Sequence, residues 1–328
     1  MSQPFFTIIV PHHRTEPYLE QTLRSIQSQT FTNFECLVVN DGSPGVDLDR
    51  FEIGQDPDYS PSVDVRSLPK EKQTQAIFDG VVGNDPRFTL LSKTQGGTAS
   101  ARNFAFQHMK GDWAVCVDAD DWILPTHLEI LHQNIEDNSS RKYPIICFLG
   151  LKFYNTGQDL NVKYQKKLTL ANLLYAPALI EWNYAMNAEI IRKYNLKNEE
   201  LLGPGPEREN VIIKHGYDDL AFGWMYVDAV QKEVGKNNLF FKNTEQKTYM
   251  YRDLNSFKKN QLKGGNAMFT YAKYLSPFAS KSSDLSVKFA ALLFPIYTSC
   301  FEHPNFFKRE ILKRAVGFLL KFFTHFYF

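Results

Sequence analysis

Short apolar runs alternate with helical stripes through the first 125 positions of the chain. Phe5 to Val10 is an apolar strand closed by Pro11. Thr15 is placed to cap a helix beginning near Glu16, with Pro17 tolerated in its first turn and Leu19, Leu23 and Ile26 along one stripe. Phe34 to Val39 is the next buried strand, and it runs into Asn40, Asp41, Gly42 and Ser43. Strand, helix and strand in so short a span make a βαβ unit, so the two strands are expected to be parallel. Pro44 to Asn84 is polar, carries Pro57, Pro61 and Pro69 besides Pro44, and reads as an extended loop or a small insertion over the active face. Arg87 to Leu91 resumes a strand, and Gly96 and Gly97 mark a tight turn. Thr98 to Lys110 is a helix with Ala101, Phe104, Ala105 and His108 on one side, stopped by Gly111. On that reading His108 is a partly buried structural residue. Trp113 to Val117 is a continuous apolar run of the kind that forms a strand buried on both faces.

Further on, Pro125 to Asn138 reads as a helix and Tyr143 to Leu149 as a strand. Thr169 to Ile191 reads as helical or irregular, and Gly203 to Pro206 as a loop. Val211 to Gly216 leads into Tyr217, Asp218, Asp219 and Leu220, then into an aromatic helix with Phe222, Trp224, Met225 and Tyr226. The fold class that follows is α/β: a Rossmann-like, mostly parallel central sheet flanked by helices, with a helical C-terminal appendage.

Three acids, Asp118, Asp120 and Asp121, follow the Trp113–Val117 run, and Trp122, Ile123 and Leu124 return at once to apolar. Acids at the C-terminal end of a buried strand lie where open α/β sheets bind ligands. Ionised carboxylates this close repel one another, and a hard divalent cation would offset that repulsion. A solvated acidic turn would use the same residues; the apolar flanks favour the cation site. Asp41 falls on the same sheet edge, in a stretch that also suits an ordinary turn. Asp218 and Asp219 either compensate a helix dipole or hold a general base beside a cleft.

Composition sets the bounds. The chain's 328 residues suffice for one large α/β domain with an appendage, at about 150 residues per domain. With 37 basic and 36 acidic residues the net charge is +1, which does not suit a dedicated nucleic-acid binder. Cys36, Cys116, Cys147 and Cys300 form no metal or redox motif and read as free thiols of a reducing compartment. The N-terminus has no basic region ahead of its apolar run, so no signal peptide is expected. No stretch approaches the ~20 apolar residues of a spanning helix. The expected location is cytoplasmic. Phe306 to Phe328 reads as a helix with Arg309, Lys313, Gly317 and Lys321 on one side and a Phe- and Leu-rich face on the rest. Such a helix either lies in a membrane interface, here the inner face of the plasma membrane, or packs its apolar face on the domain.

Taken in order, TIIVP, YLEQTLRSIQSQTF, VVNDGS, GGTASARN, KGDWAVCVDADD and GYDDLAF resemble the inverting family 2 glycosyltransferases of the GT-A fold, over roughly Phe5 to Tyr251. The resemblance implies a domain over residues 1–255, with a nucleotide-sugar half over about 1–125 and an acceptor half over about 126–255. Residues 256–328 form the helical extension. It implies that Asp41 binds the uracil or ribose of the donor, that Pro11 and His12 line the base pocket with Arg14 beside them, and that Arg102 contacts the nucleotide. Asp118 and Asp120 would be the DxD motif, Asp118 near the ribose and Asp120 on a Mn2+ or Mg2+ ion, with Asp121 contacting the sugar or supporting the motif. Asp219 would be the catalytic base, with Asp218 standing where Glu is usual. The implied partners are a nucleotide-sugar donor, a UDP-sugar, and a saccharide or lipid-linked saccharide acceptor. Three features depart from the pattern: His13 and Arg14 stand where Tyr and Asn are usual, Pro44 to Asn84 is long, and Asp218 replaces Glu. Two other classes remain open on the residues alone. One is a catalytically inactive nucleotide-sugar-binding module. The other is a nucleotidyltransferase, against which PHHRTEP offers no glycine-rich phosphate loop.

Overall fold

The computed structural model describes residues 3–47, 59–148, 151–153, 170, 184–198, 218–244, 246–252 and 288, with backbone alone for 151–153 and 218–220. The chain divides into two compact units. One comprises Met1–Lys163, Trp182–Gly203 and Phe240–Leu254; the other comprises Tyr164–Glu181, Pro204–Leu239 and Asn255–Phe328.

The first unit is built in chain order from β1 (Phe6–His12), α1 (Glu16–Gln27), β2 (Phe34–Asp41), α2 (Lys70–Val82), β3 (Phe88–Lys93), α3 (Thr98–His108), β4 (Trp113–Cys116), β5 (Trp122–Ile123), α4 (His127–Asp137), β6 (Ile145–Cys147), β7 (Leu151–Phe153), β8 (Tyr184–Asn187) and α5 (Ala188–Lys193). After α6 (Asp218–Val234), which belongs to the second unit, β9 (Phe241–Asn243) and β10 (Tyr249–Tyr251) return to it. Among the described residues seven strands make one sheet in the order β3-β2-β1-β4-β8-β6-β9, and β5-β10-β7 make a second. Strands β1 to β4 are mutually parallel, whereas β8 runs antiparallel to both its neighbours.

The strand order reverses at β1, which pairs with β2 on one side and β4 on the other. Such a switch point opens a crevice at the C-terminal strand ends. The register sets its floor: Ile9 pairs with Cys116, His12 with Asn40, and Asp41 with Lys93. Strands covered on both faces explain the continuous apolar runs, and Ile8, Ile9, Val10, Val38, Ala114 and Val115 are fully buried.

Several expectations are met and others corrected. Leu19, Leu23 and Ile26 are buried as one stripe of α1. Thr15 is the N-cap residue, but its hydroxyl bonds His12 Nδ1 at 2.6 Å instead of a helix N–H. Pro44 to Asn84 is not wholly loop: α2 occupies Lys70–Val82, packs on α1 and buries Ile77, Phe78, Val81 and Val82. Gln73, Thr74 and Gln75 dilute that stripe in the sequence. His108 is exposed, with Nδ1 2.8 Å from its own helix's Phe104 carbonyl. The buried side of α3 is instead Ala99, Ala101, Arg102, Asn103 and Ala105, because small residues let the helix lie close on β1 and β2. Within Thr169–Ile191, Tyr184–Asn187 is a strand that β4 and β6 recruit by pairing. Cys36, Cys116 and Cys147 are buried free thiols, and Cys300 lies outside the described residues. No helix among the described residues is long and apolar enough to cross a membrane.

Candidate active site

The crevice edge is lined by the residues that end β1, β2 and β4. Pro11 is half-buried at the end of β1. His12 is 1% exposed, with Nδ1 on Thr15 and Nε2 3.0 Å from the Thr74 hydroxyl and 3.3 Å from Glu16 Oε1. Both of its ring nitrogens are thus engaged within the protein, tying the β1 end to α1 and α2. Burial works to raise the Glu16 carboxyl, but the His12 hydrogen bond and charge and the Ser43 hydroxyl outweigh it and hold it at about 2. His13 faces the crevice edge instead. Its Nδ1 donates to the Asp41 carbonyl at 3.1 Å, and its Nε2 lies 3.2 Å from the Gln95 amide nitrogen. Arg14 is exposed at φ 57°, its N–H bonded to the Ser43 hydroxyl.

Asp41 is buried at the end of β2. Its carboxylate accepts Lys93 Nζ at 2.7 Å, the Gly96 N–H at 2.9 Å and the Gly97 N–H at 2.6 Å. Gly97 has no side chain to cap α3 and holds φ +91°, a conformation that favours glycine. The Asp41 carboxylate therefore sets the entry to that helix, where its N-terminal dipole also favours an anion.

The acidic turn sits where β4 ends. The Asp121 N–H closes it on the Asp118 carbonyl at 3.0 Å. Arg102, buried on α3, places Nη2 3.2 Å from Asp118 Oδ1, and that carboxylate is partly exposed. Asp120 is also partly exposed. Burial, and then the Asp118 charge, push its carboxyl up to about 6. Asp121 is 1% exposed and bonded inside the protein, to the Tyr249 hydroxyl at 2.9 Å and the Arg252 N–H at 2.7 Å. Burial, with Asp120 and Asp118 nearby, raises its carboxyl well above the ordinary range.

Thus Asp41, Arg102, Asp118, Asp120 and Asp121 come together at one sheet edge. Asp218 and Asp219 open α6 in the second unit, and their side chains lie outside the described residues. Within that unit, α6 buries Phe222, Trp224, Tyr226 and Val230, and the Trp224 indole N–H donates to the Leu170 carbonyl at 3.3 Å. Among the described residues no group of three or more His, Cys, Asp or Glu has metal-ligand spacing. Asp118 and Asp120 offer two hard carboxylate donors. That set suits an ion such as Mg2+ or Mn2+, which keeps several waters and takes its other oxygens from substrate phosphates. Burial first, and the Asp118 charge second, disfavour a bare carboxylate at Asp120, and a cation held there would offset both.

Sequence reasoning passed over His13 as a site residue and missed Lys93, Tyr249 and Arg252. The only local signal was for His13, whose position was visible as a departure from pattern. Lys93 and Asp41 are 52 residues apart, and Tyr249 is 128 residues from Asp121, so spacing could not pair them.

Residues 7–50 and 69–165 match a family model. That model is Glycosyl transferase family 2. The gap in the match, 51–68, falls inside the long Pro44–Asn84 stretch, while α2 lies within the matched part. EpsJ of Bacillus subtilis (strain 168), an uncharacterized glycosyltransferase, is 24% identical over 211 residues, 60% of this chain and 52% of that protein. EpsH of the same organism, a putative glycosyltransferase, is 26% identical over 161 residues, 49% of this chain and 38% of that protein. The chain therefore spans about half or less of these relatives' length. Among solved structures, S. aureus TarS 1–349 in complex with UDP-GlcNAc superposes with a TM-score of 0.59 at 16% identity, over 96% of this chain and 75% of that one. At that identity the likeness is one of fold, and the fold is GT-A.

Proposed function

We propose that the chain is a family 2 glycosyltransferase that moves a sugar from a nucleotide-diphosphate sugar, a UDP-sugar, to an acceptor hydroxyl with inversion. The observation that carries this reading is the Asp118–Asp120 turn at the switch point beside Arg102 and Asp41, within residues matching family 2. TarS, whose fold the chain shares, has been crystallised with UDP-GlcNAc and with UDP, which supports the donor class.

The chemistry has two demands. The leaving nucleoside diphosphate gains negative charge, and the incoming hydroxyl must lose a proton as it attacks from the opposite face. Asp118 and Asp120 would hold a Mn2+ or Mg2+ ion that supplies positive charge to the diphosphate oxygens. Arg102 adds a fixed cation at the same edge and keeps Asp118 in place. Asp41 would serve the uracil or ribose end of the donor, its carboxylate held in place by Lys93 Nζ and the Gly96 and Gly97 N–H groups. Asp219 takes the acceptor proton, and Asp218 supports it. The acceptor class is a saccharide or lipid-linked saccharide of polysaccharide or glycolipid assembly in the cell envelope. Residues 306–328 offer a peripheral membrane contact through their basic and Phe-rich faces; they lie outside the described residues. Co-sedimentation with anionic liposomes, of the full chain against one ending at Pro304, tests that contact. Equal recovery of both in the supernatant removes it.

The deciding experiment is a screen of nucleotide sugars with Mn2+ or Mg2+ for release of nucleoside diphosphate, followed by NMR of the new anomeric centre. Release from one UDP-sugar, lost in Asp120→Ala, is expected. Pyrophosphate as product, or full Asp120→Ala activity at low metal, would overturn the reading.

A further inference from the structure

We propose that Tyr249 and Arg252 are positioning residues that hold the Asp118–Asp121 turn in its donor-binding shape, an inference that rests on the glycosyltransferase reading. The turn closes on itself through the Asp121 N–H and the Asp118 carbonyl, and the Asp118 N–H and the Ala119, Asp120 and Asp121 carbonyls are gripped from outside it. The Asp118 N–H donates to the Tyr249 hydroxyl at 3.1 Å, and that hydroxyl donates onward to Asp121 Oδ2 at 2.9 Å. The Arg252 N–H takes the other Asp121 oxygen at 2.7 Å, and Arg252 Nε donates to the Asp120 carbonyl at 2.9 Å. From α1, the Thr22 hydroxyl lies 3.0 Å from the Ala119 carbonyl and 2.7 Å from that of Asp121.

The Arg252 side chain is itself fixed. It is 3% exposed, its Nη2 bonds Gln21 Oε1, and its Cζ lies 4.7 Å from the Tyr18 ring centroid and 4.8 Å from that of Trp122. Immediately after the turn, Trp122 and Ile123 pair antiparallel with Met250 and Tyr249. A shift of the 249–252 segment must therefore move the turn. What the grip leaves at the surface is the pair of partly exposed carboxylates, Asp120 and the Asp118 carboxylate that Arg102 meets from α3. Asp121 thereby acts through its neighbours: it is the buried post to which both partners are tied.

The grip predicts an effect out of proportion to a single hydroxyl. Tyr249→Phe in the full chain removes one oxygen and leaves the ring stacked on Phe148, 5.7 Å away. Three readouts are taken: the thermal midpoint, hydrogen exchange of the 117–121 amides without metal, and Mn2+ binding in the presence of UDP by electron paramagnetic resonance. The expected result is a fold that melts cooperatively, selectively faster exchange at Asp118, and Mn2+ affinity lowered ~10- to 100-fold, the range for removing groups that orient metal ligands. Arg252→Lys, which keeps the charge but cannot span the Asp120 carbonyl and Gln21, is expected to weaken Mn2+ binding in the same way. Wild-type affinity in both variants, with unchanged Asp118 exchange, overturns the inference; so does faster exchange with unchanged affinity, which marks a merely structural bond. A wild-type chain that takes up no Mn2+ with UDP overturns the glycosyltransferase reading instead, and exchange at Asp118 then decides whether the phenol holds the turn.

Discussion

Arg102 Nη2 lies 3.2 Å from Asp118 Oδ1, joining the buried side of α3 to the end of β4. Its helix is locked by the next residue: the Asn103 side-chain amide donates to the Asn198 carbonyl at 2.8 Å and its oxygen accepts the Asn198 N–H at 2.7 Å. Arg102 therefore meets Asp118 from a fixed platform. Arg102→Ala removes both the partner of Asp118 and a cation at the donor edge. A hydrogen bond to a charged group is worth about 1.5–3 kcal/mol, so UDP affinity should fall ~10- to 100-fold, with Arg102→Lys in between. Calorimetric titration of UDP into the three proteins checks this; equal affinities would detach Arg102 from the donor.

Asp219→Asn is expected to keep the fold and UDP binding and to lose ~100- to 10,000-fold in transfer, since an amide cannot accept the acceptor's proton. Asp218→Asn should cost less. Rates of transfer are compared with UDP affinity in each variant. A larger loss at Asp218, or none at Asp219, assigns the base elsewhere.

Local pattern carried much of the fold. Apolar runs buried on both faces marked β1, β2 and β4, and the Leu19–Leu23–Ile26 stripe marked α1, because in each case neighbouring residues share one fate. Pattern failed where the partner decides. Tyr184–Asn187 is a strand only because β4 and β6 pair with it. In α3 the polar Arg102 and Asn103 face inward because Asp118 and Asn198 receive them, so a reading by hydrophobicity turned the helix toward His108. The site divides the same way. The acids of the turn were visible as acids, but Lys93, Tyr249 and Arg252, which hold them, reach the site from distant sequence.

The Asp120 carboxyl, raised from 3.8 to about 6, makes a pH prediction of definite sign. The folded chain binds this proton more tightly than the unfolded one. The stabilisation that protonation brings is present below about pH 4 and is lost as pH rises through 6, up to about 3 kcal/mol by pH 7. Asp120→Asn should therefore gain stability over the wild type as pH rises from 4 to 7 without metal. A divalent ion competes for the same carboxylate, so Mn2+ should stabilise the wild type more at pH 7 than at pH 5. Thermal midpoints at these pH values, with and without Mn2+, check both; a pH-independent difference would remove Asp120 from the titration.

His127 titrates with the opposite sign. It is fully buried at the start of α4, its Nδ1 2.7 Å from the Thr248 hydroxyl and its ring 4.7 Å from that of Phe148. Among the described residues its buried Nε2 has no hydrogen-bond partner to stabilise a second proton. Burial accordingly brings this imidazole down to about 3 from 6.5. As pH falls below 6.5 the unfolded chain takes up a proton that the folded chain refuses, and stability is lost steadily toward pH 3. Between pH 7 and pH 5 the loss from this one group is about 2 kcal/mol. Asp120 gains over much of the same interval, so the wild-type profile is a difference of two slopes and identifies neither. His127→Asn keeps a polar atom near the place of Nδ1 but does not titrate. It should be less stable than wild type at pH 7, since it leaves a cavity beside Phe148. Its further loss on going to pH 5 should be smaller than the wild type's by about 2 kcal/mol. Urea unfolding at the two pH values measures this directly. Parallel losses in the two proteins would mean that His127 accepts its proton in the folded state.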